Sequence, residues 1–512
     1  MKDEGEAVTN ATAGEATAEE ITPEATGEQT AAAVEDGSRP YDVNYPEKFK
    51  EFMRTGWGES GLEVSTRVEA SNHARRRAEL SAAFPGETLV IPSGREKVRA
   101  NDTLYPFRPG SDFMWLTGEH DPDAVLIITS DGTATLHIRP RSPRDTDEFF
   151  RNAMYGELWI GRRHTLEEKA AELGVETADL AKLGEALASC PPARTRVLRG
   201  YDAAVDAAVL PYDPAEAGTR DRELAEKLSE LRLVKDEWEI AQLQDAVDAT
   251  VCGFEDVARL LPSDRPVTER FLEGIFNLRA RHDGNGLGYS SIVGAGSHAT
   301  ILHWIRNTGA ISPGQLLLMD MGVENHNLYT ADVTRTLPVS GRFSPLQRDI
   351  YDIVFRSQQS GMDAVAPGVK YEDVALACNR VLAEGLYDLK LLPCSVEEAL
   401  DKENMAYRRW SLHGFGHMLG LDVHDCSHAR KEMYREGSLG EGYVLTVEPG
   451  LYFQSDDDLV PEELRGIGVR IEDDVLVTAT GSRNLSTGLP RTAGDVETWL
   501  AAQREAGPRL PG

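Results

Sequence analysis

The sequence predicts an α/β N-terminal domain followed by an α+β domain that carries the chemistry. Three observations lead there. At 512 residues the chain is too long for one core and, at roughly 100–200 residues per domain, implies two to four domains. Across 44–218 strand-like runs alternate with helical ones, the pattern of an α/β unit. Beyond that the strand-like runs become denser and are joined by turns, which suits antiparallel pairing. The division that results is an acidic tail at 1–43, domains at 44–218 and 219–490, and a C-terminal helix and tail at 491–512.

The first 40 residues hold nine Ala, six Thr, ten acidic and two basic side chains, and no aromatic one. Such a segment cannot bury enough apolar surface to offset its ordering entropy, so it is expected to be disordered. An acidic interaction tail is the functional alternative. Charged, helix-like segments occupy 44–83. Short strands are expected at 87–91, 112–118 and 124–129, and Asp131-Gly132, between 125–129 and 133–138, is a hairpin signal. Helices are expected at 166–191 and 202–210. Across 220–262, Leu224, Leu228, Leu231, Leu233, Ile240 and Leu243 recur at near-helical spacing. They mark a helix, broken or continuous, that opens the second domain. Strand-like runs follow at 289–293, 316–321, 331–337, 444–447, 469–471 and 475–477, with helical stretches at 345–365 and 371–388. No short-period repeat is visible.

Charge and cysteine content exclude several classes. Acidic residues number 85 against 54 basic ones, a formal charge of -31. A nucleic-acid binder needs a basic face, and so does a protein that docks on anionic lipid. No run of 18 apolar residues exists to span a membrane, and no basic-then-apolar leader opens the chain. The five cysteines, Cys190, Cys252, Cys378, Cys394 and Cys426, form no CxxC pair. A dispersed odd set reads as free thiols in a cytoplasmic setting, not as a thiolate metal site.

Eight of the twelve histidines lie between 282 and 428, so the second domain draws attention. Asp320 ends the apolar run 316–319, where a carboxylate is costly unless paired or bound to a cation. Asp332 lies on the next strand, past a turn at 322–327. A hairpin would set the two carboxylates side by side, and a divalent ion resolves their repulsion. Glu448 closes an apolar strand ahead of Pro449-Gly450. Strand alternation puts Arg470, Glu472 and Asp474 on one face. Taken singly, each acid reads as a cap, a turn residue or a salt bridge. The imidazoles narrow the choice. His413 and His417 are four apart, but Gly414 and Gly416 rule out a helical HExxH motif. His424 and His303 also sit beside apolar residues. One His with four carboxylates is an oxygen-rich set suited to Mn²⁺, Co²⁺ or Fe²⁺. Two ions sharing bridging carboxylates balance the four charges, and such a pair can hold a hydroxide at neutral pH and polarise a carbonyl. The glycines at 284–288 and 294–296 do not match a nucleotide loop, and Ser290-Ser291 lies in no GxSxG elbow.

The ordered set 301–303, Asp320-Met321-Gly322, 332–336, 413–417, 421–425, 446–450 and 466–473 resembles the Xaa-Pro aminopeptidases, or aminopeptidase P. These belong to the pita-bread metallopeptidases, with prolidase and methionine aminopeptidase. The resemblance runs from about 45 to 490 and includes 111–113, 116–118 and 157–163 in the first domain. It implies a pita-bread catalytic domain that binds two divalent ions, with manganese expected. Asp320 would chelate one ion, Asp332 and Glu472 would bridge both, and His417 and Glu448 would complete the second ion's shell. His303, His413 and His424 would line the pocket, hold the scissile and proline carbonyls and stabilise developing charge. Glu448 would also move the proton from water to the leaving proline nitrogen. Arg470 and Tyr452 would form a supporting network, with Asp102 from a neighbouring subunit. Tyr289 matches a pocket tyrosine, and Trp159 an aromatic wall supplied by another subunit of a homodimer or homotetramer. The substrate would be a peptide with Xaa-Pro at its N-terminus. Prolidase, which cuts only Xaa-Pro dipeptides, shares this chemistry, and an inactive pita-bread binding protein is the non-enzymatic alternative. The acidic tail has no counterpart in the family, and segments 395–410 and 426–440 look extended.

Overall fold

In a computed structural model the chain is described at residues 44–58, 60–214, 218–261 and 267–511; the expected tail at 1–43 lies outside these. Two compact units result, one from the described parts of 1–59 and 142–161, the other from 60–141 and 162–512. In the smaller unit, Glu47–Met53, Glu148–Arg151 and Glu157–Ile160 are short helices. Trp57 meets Phe149 edge-on at 5.0 Å, and Arg54 Nε donates to Asp147 Oδ1 at 3.0 Å.

The larger unit begins with a five-stranded mixed sheet in the order Glu176–Asp179, Ala134–Ile138, Val125–Ile128, Thr88–Pro92, Thr195–Val197. The expected hairpin forms: Val125–Ile128 runs antiparallel to Ala134–Ile138. Asp131 Oδ1 accepts from Thr129 Oγ1 at 2.6 Å and from Thr133 N at 3.0 Å, closing the turn. Two expectations fail. Residues 112–118 are no strand: Ser111–Thr117 is a helix, buried at every position and ended by Gly118 in the left-handed region at φ 69. An apolar run buried all round shows no period, so helix and strand cannot be told apart from it. The expected helix at 166–191 is interrupted by the strand Glu176–Asp179, which pairs parallel with Ala134–Ile138.

Leucines across 220–262 form two helices, Thr219–Arg232 and Glu237–Ala258. The break has a local cause. Asp236 caps the second helix by accepting from Glu239 N, and Glu239 reaches back to Asp236 N, a reciprocal cap that fixes the helix start.

Two similar halves follow. In the first, strands Ile292–Ala295, Leu316–Met321 and Val333–Pro338 form an antiparallel sheet. Phe254, Leu272 and Phe276, from Glu237–Ala258 and Glu269–Asp283, share a core with its Val293, Leu317 and Met319. In the second, Val444–Val447, Asp473–Thr478 and Gly481–Asn484 form another antiparallel sheet. Met362, Val374 and Cys378, from helices Pro345–Ala364 and Tyr371–Asp388, pack on its Leu445, Val447 and Val475. A helix pair thus backs each sheet, the pita-bread plan that the resemblance implies. Leu316–Met321 is buried along its whole length. Each leucine there contributes about 1.5–3 kcal/mol by leaving water, which fixes the strand that carries Asp320.

Candidate metal and peptide site

The acids come together because hairpin register puts them on one face. Asp320 pairs with Thr334 across the antiparallel strands, so Asp332 lies diagonally opposite, on the same side of the pleat. The hairpin closes tightly at Gly322, where an added Cβ would sit 1.8 Å from Ala331 O. The Tyr289 hydroxyl lies 2.6 Å from both Asp320 Oδ1 and Asp332 Oδ1. On its other oxygen Asp320 accepts from Arg470 Nη2 at 2.6 Å.

Glu472 arrives from the second half, at the break between Gly468–Arg470 and Asp473–Thr478. Thr334 anchors it. Glu472 N donates to Thr334 O at 3.1 Å, and Thr334 Oγ1 donates to Glu472 Oε2 at 2.6 Å while accepting from Arg470 Nε at 3.1 Å. His417 and Glu448 are brought side by side for a backbone reason. Thr446 N donates to His417 O at 2.8 Å and Glu448 N to Phe415 O at 2.7 Å, so 415–419 zips along Val444–Val447. Gly416 permits this approach: a Cβ there would lie 2.0 Å from Thr446 O. His417 Nε2 then falls 3.3 Å from Asp332 Oδ2 and 3.5 Å from Glu448 Oε1.

Asp332, His417 and Glu472 place their ligand atoms within 4.8 Å of one another. Asp320 joins them through Tyr289, and Glu448 through His417. All five expected ligands line one cavity of about 760 Å³, along with Tyr289, Arg470, His303, His413 and His424. Tyr452 stands behind: its hydroxyl accepts from Arg470 Nη1 at 2.9 Å and lies 2.7 Å from His413 Nε2. Arginine can only donate, so the Tyr452 proton is free to point at His413. His424 meets His417 edge-on, ring centres 4.4 Å apart.

Two expected residues lie elsewhere. Asp102 is exposed, between strands Val98–Ala100 and Thr103–Leu104, and does not line this cavity. Trp159 belongs to the smaller unit, is 59% exposed and donates its indole N–H to Phe150 O at 2.7 Å. Sequence reasoning missed Thr334 and Thr446, which hold the ligands, and Lys431, Tyr434 and Arg435, which line the cavity from 426–440. The threonines had a signal in strand alternation; the rim residues had only the added length of their segment, which marks no individual side chain.

The electrostatics ask for positive charge. Burial pushes Glu448 up to about 7, against His417 and Arg470, which hold it down. Burial and the neighbouring Asp332 and Glu448 push Glu472 well above the carboxylate range. Burial also raises Asp320, although Arg470 opposes it. His417 moves to about 9: burial disfavours its charge, but Asp332 and Glu448 outweigh burial. Burial and Arg470 hold His413 neutral, down to about 3. Crowded buried acids with one imidazole among them fit a divalent-cation site with oxygen and nitrogen ligands.

Residues 241–479 match Metallopeptidase family M24, and 73–197 match Aminopeptidase P, N-terminal domain. Xaa-Pro aminopeptidase 1 of Streptomyces coelicolor is 50% identical over 494 residues, covering 95% of this chain and 99% of the relative. This chain belongs to the Xaa-Pro aminopeptidases. The Xaa-Pro aminopeptidase of Escherichia coli is 34% identical over 446 residues, 84% of this chain and 97% of that protein. The solved E. coli aminopeptidase P with the inhibitor Pro-Leu superposes with a TM-score of 0.75 at 31% identity, covering 86% of this chain and 100% of that one. A zinc-substituted form of the E. coli enzyme with product matches at TM-score 0.74, 31% identity and the same coverage. As an M24 metallopeptidase, the chain is a divalent-metal-dependent exopeptidase and a hydrolase. Among the described residues no helix is long and apolar enough to cross a membrane.

Proposed function

We propose that this enzyme releases the N-terminal residue from peptides with proline in second position, using two divalent ions, with Mn²⁺ the expected metal. The observation that carries this reading is the single cavity into which Asp320, Asp332, His417, Glu448 and Glu472 all converge beside three further histidines. Asp320 would hold one ion, His417 and Glu448 the other, and Asp332 and Glu472 would serve both. When bound, the ions supply a water nucleophile active at neutral pH and polarise the scissile carbonyl.

The chain's own groups do the rest. Glu448, placed beside His417 in the cavity, takes a proton from the attacking water and delivers it to the proline nitrogen, as a positioned carboxylate can. His424 and His303 donate to the substrate carbonyls and favour the charge that develops there. Arg470 and Tyr452 hold His413 in one orientation. The Xaa-Pro amide is tertiary and offers no N–H, so recognition rests on shape. Ile292, Leu302, Ile305 and Val423 supply apolar wall for the pyrrolidine ring.

The domain division at 44–218, 219–490 and 491–512 belongs to this reading. So does a homodimer or homotetramer in which Trp159 and Asp102 serve a neighbouring subunit. A cytoplasmic location rests on five cysteines that are all free thiols. The test is metal analysis combined with a panel of Ala-Pro-Ala, Ala-Pro and Ala-Ala-Ala under added Mn²⁺. Two ions per chain with cleavage of Ala-Pro-Ala are expected. Cleavage of Ala-Pro alone makes the chain a prolidase, and no metal with no cleavage makes it a binding protein.

A further inference from the structure

Helix Thr219–Arg232 ends on a buried guanidinium. Arg232, 4% exposed, donates from Nη1 to Asp112 Oδ1 at 2.7 Å and from Nη2 to Asp422 Oδ2 at 2.8 Å. The same Nη2 also bonds to Asp425 Oδ1. Lys235, equally buried, reaches the other oxygen of Asp425 at 2.9 Å. Asp422 and Asp425 bracket Val423 and His424, so both ends of that short segment finish on one cation.

The N-terminal part of the chain adds to the grip. Ser111 Oγ donates to Asp422 Oδ1 at 2.6 Å, and Arg108 Nη2 donates to Leu421 O at 2.5 Å. Asp112, Ser111 and Arg108 all fall in the stretch matched by the aminopeptidase P N-terminal domain. His424 is different: it is exposed at the wall of the catalytic cavity.

Stability alone does not call for this arrangement. Three carboxylates around two buried cations require extensive desolvation, and apolar replacements of buried ion clusters are often as stable or more so. What the cluster supplies is geometry. Each bracketing carboxylate is tied on both oxygens: Asp422 to Ser111 and Arg232, Asp425 to Arg232 and Lys235. The turn between them has little freedom to swing His424 away from the cavity.

We propose that Arg232 is a positioning residue for His424: through Asp422 and Asp425 it locks the His424 turn, and through Asp112 it makes the N-terminal domain part of that lock. The inference rests on the reading above, in which His424 acts on the substrate carbonyl.

The test compares Arg232→Lys, Asp422→Asn and His424→Ala in the full chain, with Arg279→Met as a stability control. Arg279 is also a buried arginine, paired with Asp256 at 2.7 Å and Asp283 at 2.9 Å, but it lines no part of the cavity. With Ala-Pro-Ala, Arg232→Lys and Asp422→Asn are expected to lower kcat roughly tenfold to a hundredfold, since small misplacements of a reacting group have effects of that size. KM and metal content should stay near the parent's. The Asp422 side chain is 43% exposed, so Asp422→Asn folds and carries the test even where Arg232→Lys does not. The decisive readout is a double-mutant cycle: Asp422→Asn placed on His424→Ala should lower kcat by less than about twofold more, because both act through one imidazole. A full repeat of the single-variant loss in that background overturns the proposal. So does normal kcat in a folded Asp422→Asn, or a loss no larger than that of Arg279→Met at matched loss of Tm. A parent enzyme that leaves Ala-Pro-Ala intact overturns the functional reading instead, and this inference with it.

Discussion

Asp332 and Glu472 are the two side chains whose removal should be felt by the whole cluster. Each comes from a different sheet, and Thr334 joins them, bonded to Glu472 through both its carbonyl and its hydroxyl. Asp332→Ala or Glu472→Ala is expected to abolish activity and to lower bound metal measurably in elemental analysis. A variant that keeps two ions and parental turnover would exclude the bridging role. A second residue-scale effect lies far along the sequence from the ligands. His73 is buried, donates through Nδ1 to Trp115 O at 2.8 Å, and leaves Nε2 without a partner. Burial, with Arg76 beside it, lowers its pKa to about 3. The sign follows. Above pH ~6.5, the usual histidine value, the imidazole is neutral folded and unfolded, and pH has no leverage. Between pH 6.5 and about 3 only the unfolded chain binds the proton, so the folded state loses on the order of 1.4 kcal/mol per pH unit through this group. His73→Gln should flatten that acid limb. Urea midpoints at pH 7.5 and pH 5 measure it, and an equal gap between variant and parent at both would refute the assignment.

At the scale of elements, the site depends on two chain segments that approach closer than side chains allow. Gly416 lets 415–419 lie against Val444–Val447, with Thr446 bonded to His417 through backbone and hydroxyl. Tyr371 and Tyr434 brace the same stretch through Gly416 O and Met418 N. Gly416→Ala is expected to push His417 from Asp332 and lower metal affinity by tenfold or more, roughly the effect of disturbing a supporting shell. Titration with Mn²⁺ monitored by Tm checks this, and unchanged metal stabilisation would count against it. These elements also show what could be read from the sequence. Leu316–Met321 and Val444–Val447 were legible because an apolar run ending in a lone acid is a strand with a burial problem, and the acids so named, Asp320 and Glu448, line one cavity. The Ser111–Thr117 helix was not, because burial on all sides erases periodicity. The grip of Arg232 on Asp422 was not legible either: it joins residues 190 positions apart, and nothing local to Arg232 distinguishes it from a surface arginine closing a charged helix.

At the scale of the whole molecule, the smaller unit carries Leu158, Trp159 and Ile160 side by side, each at least half exposed. Three adjacent large apolar side chains in water mark a contact. Light scattering is expected to give a dimer or tetramer, and Trp159→Ala to weaken discrimination of Ala-Pro-Ala over Ala-Ala-Ala more than it weakens metal binding. A fully active monomer would remove the shared pocket while leaving the ligand set intact.

The Thr334–Glu472 clasp has a kinetic corollary. It closes a loop of 138 residues, and Arg470 to Asp320 closes one of 150. Contacts this distant in sequence form late, after the local hairpins and helices. The Asp320–Asp332 hairpin can therefore assemble early as a bare acidic fork, but high-affinity coordination must wait for the last third of the chain to dock. In refolding from denaturant with Mn²⁺ present, helical signal should return first and metal uptake should lag behind it. Ion capture would then act as a latch, adding its binding free energy to the native state alone. Uptake that keeps pace with the earliest helix formation would mean that the fork binds metal without its clasp.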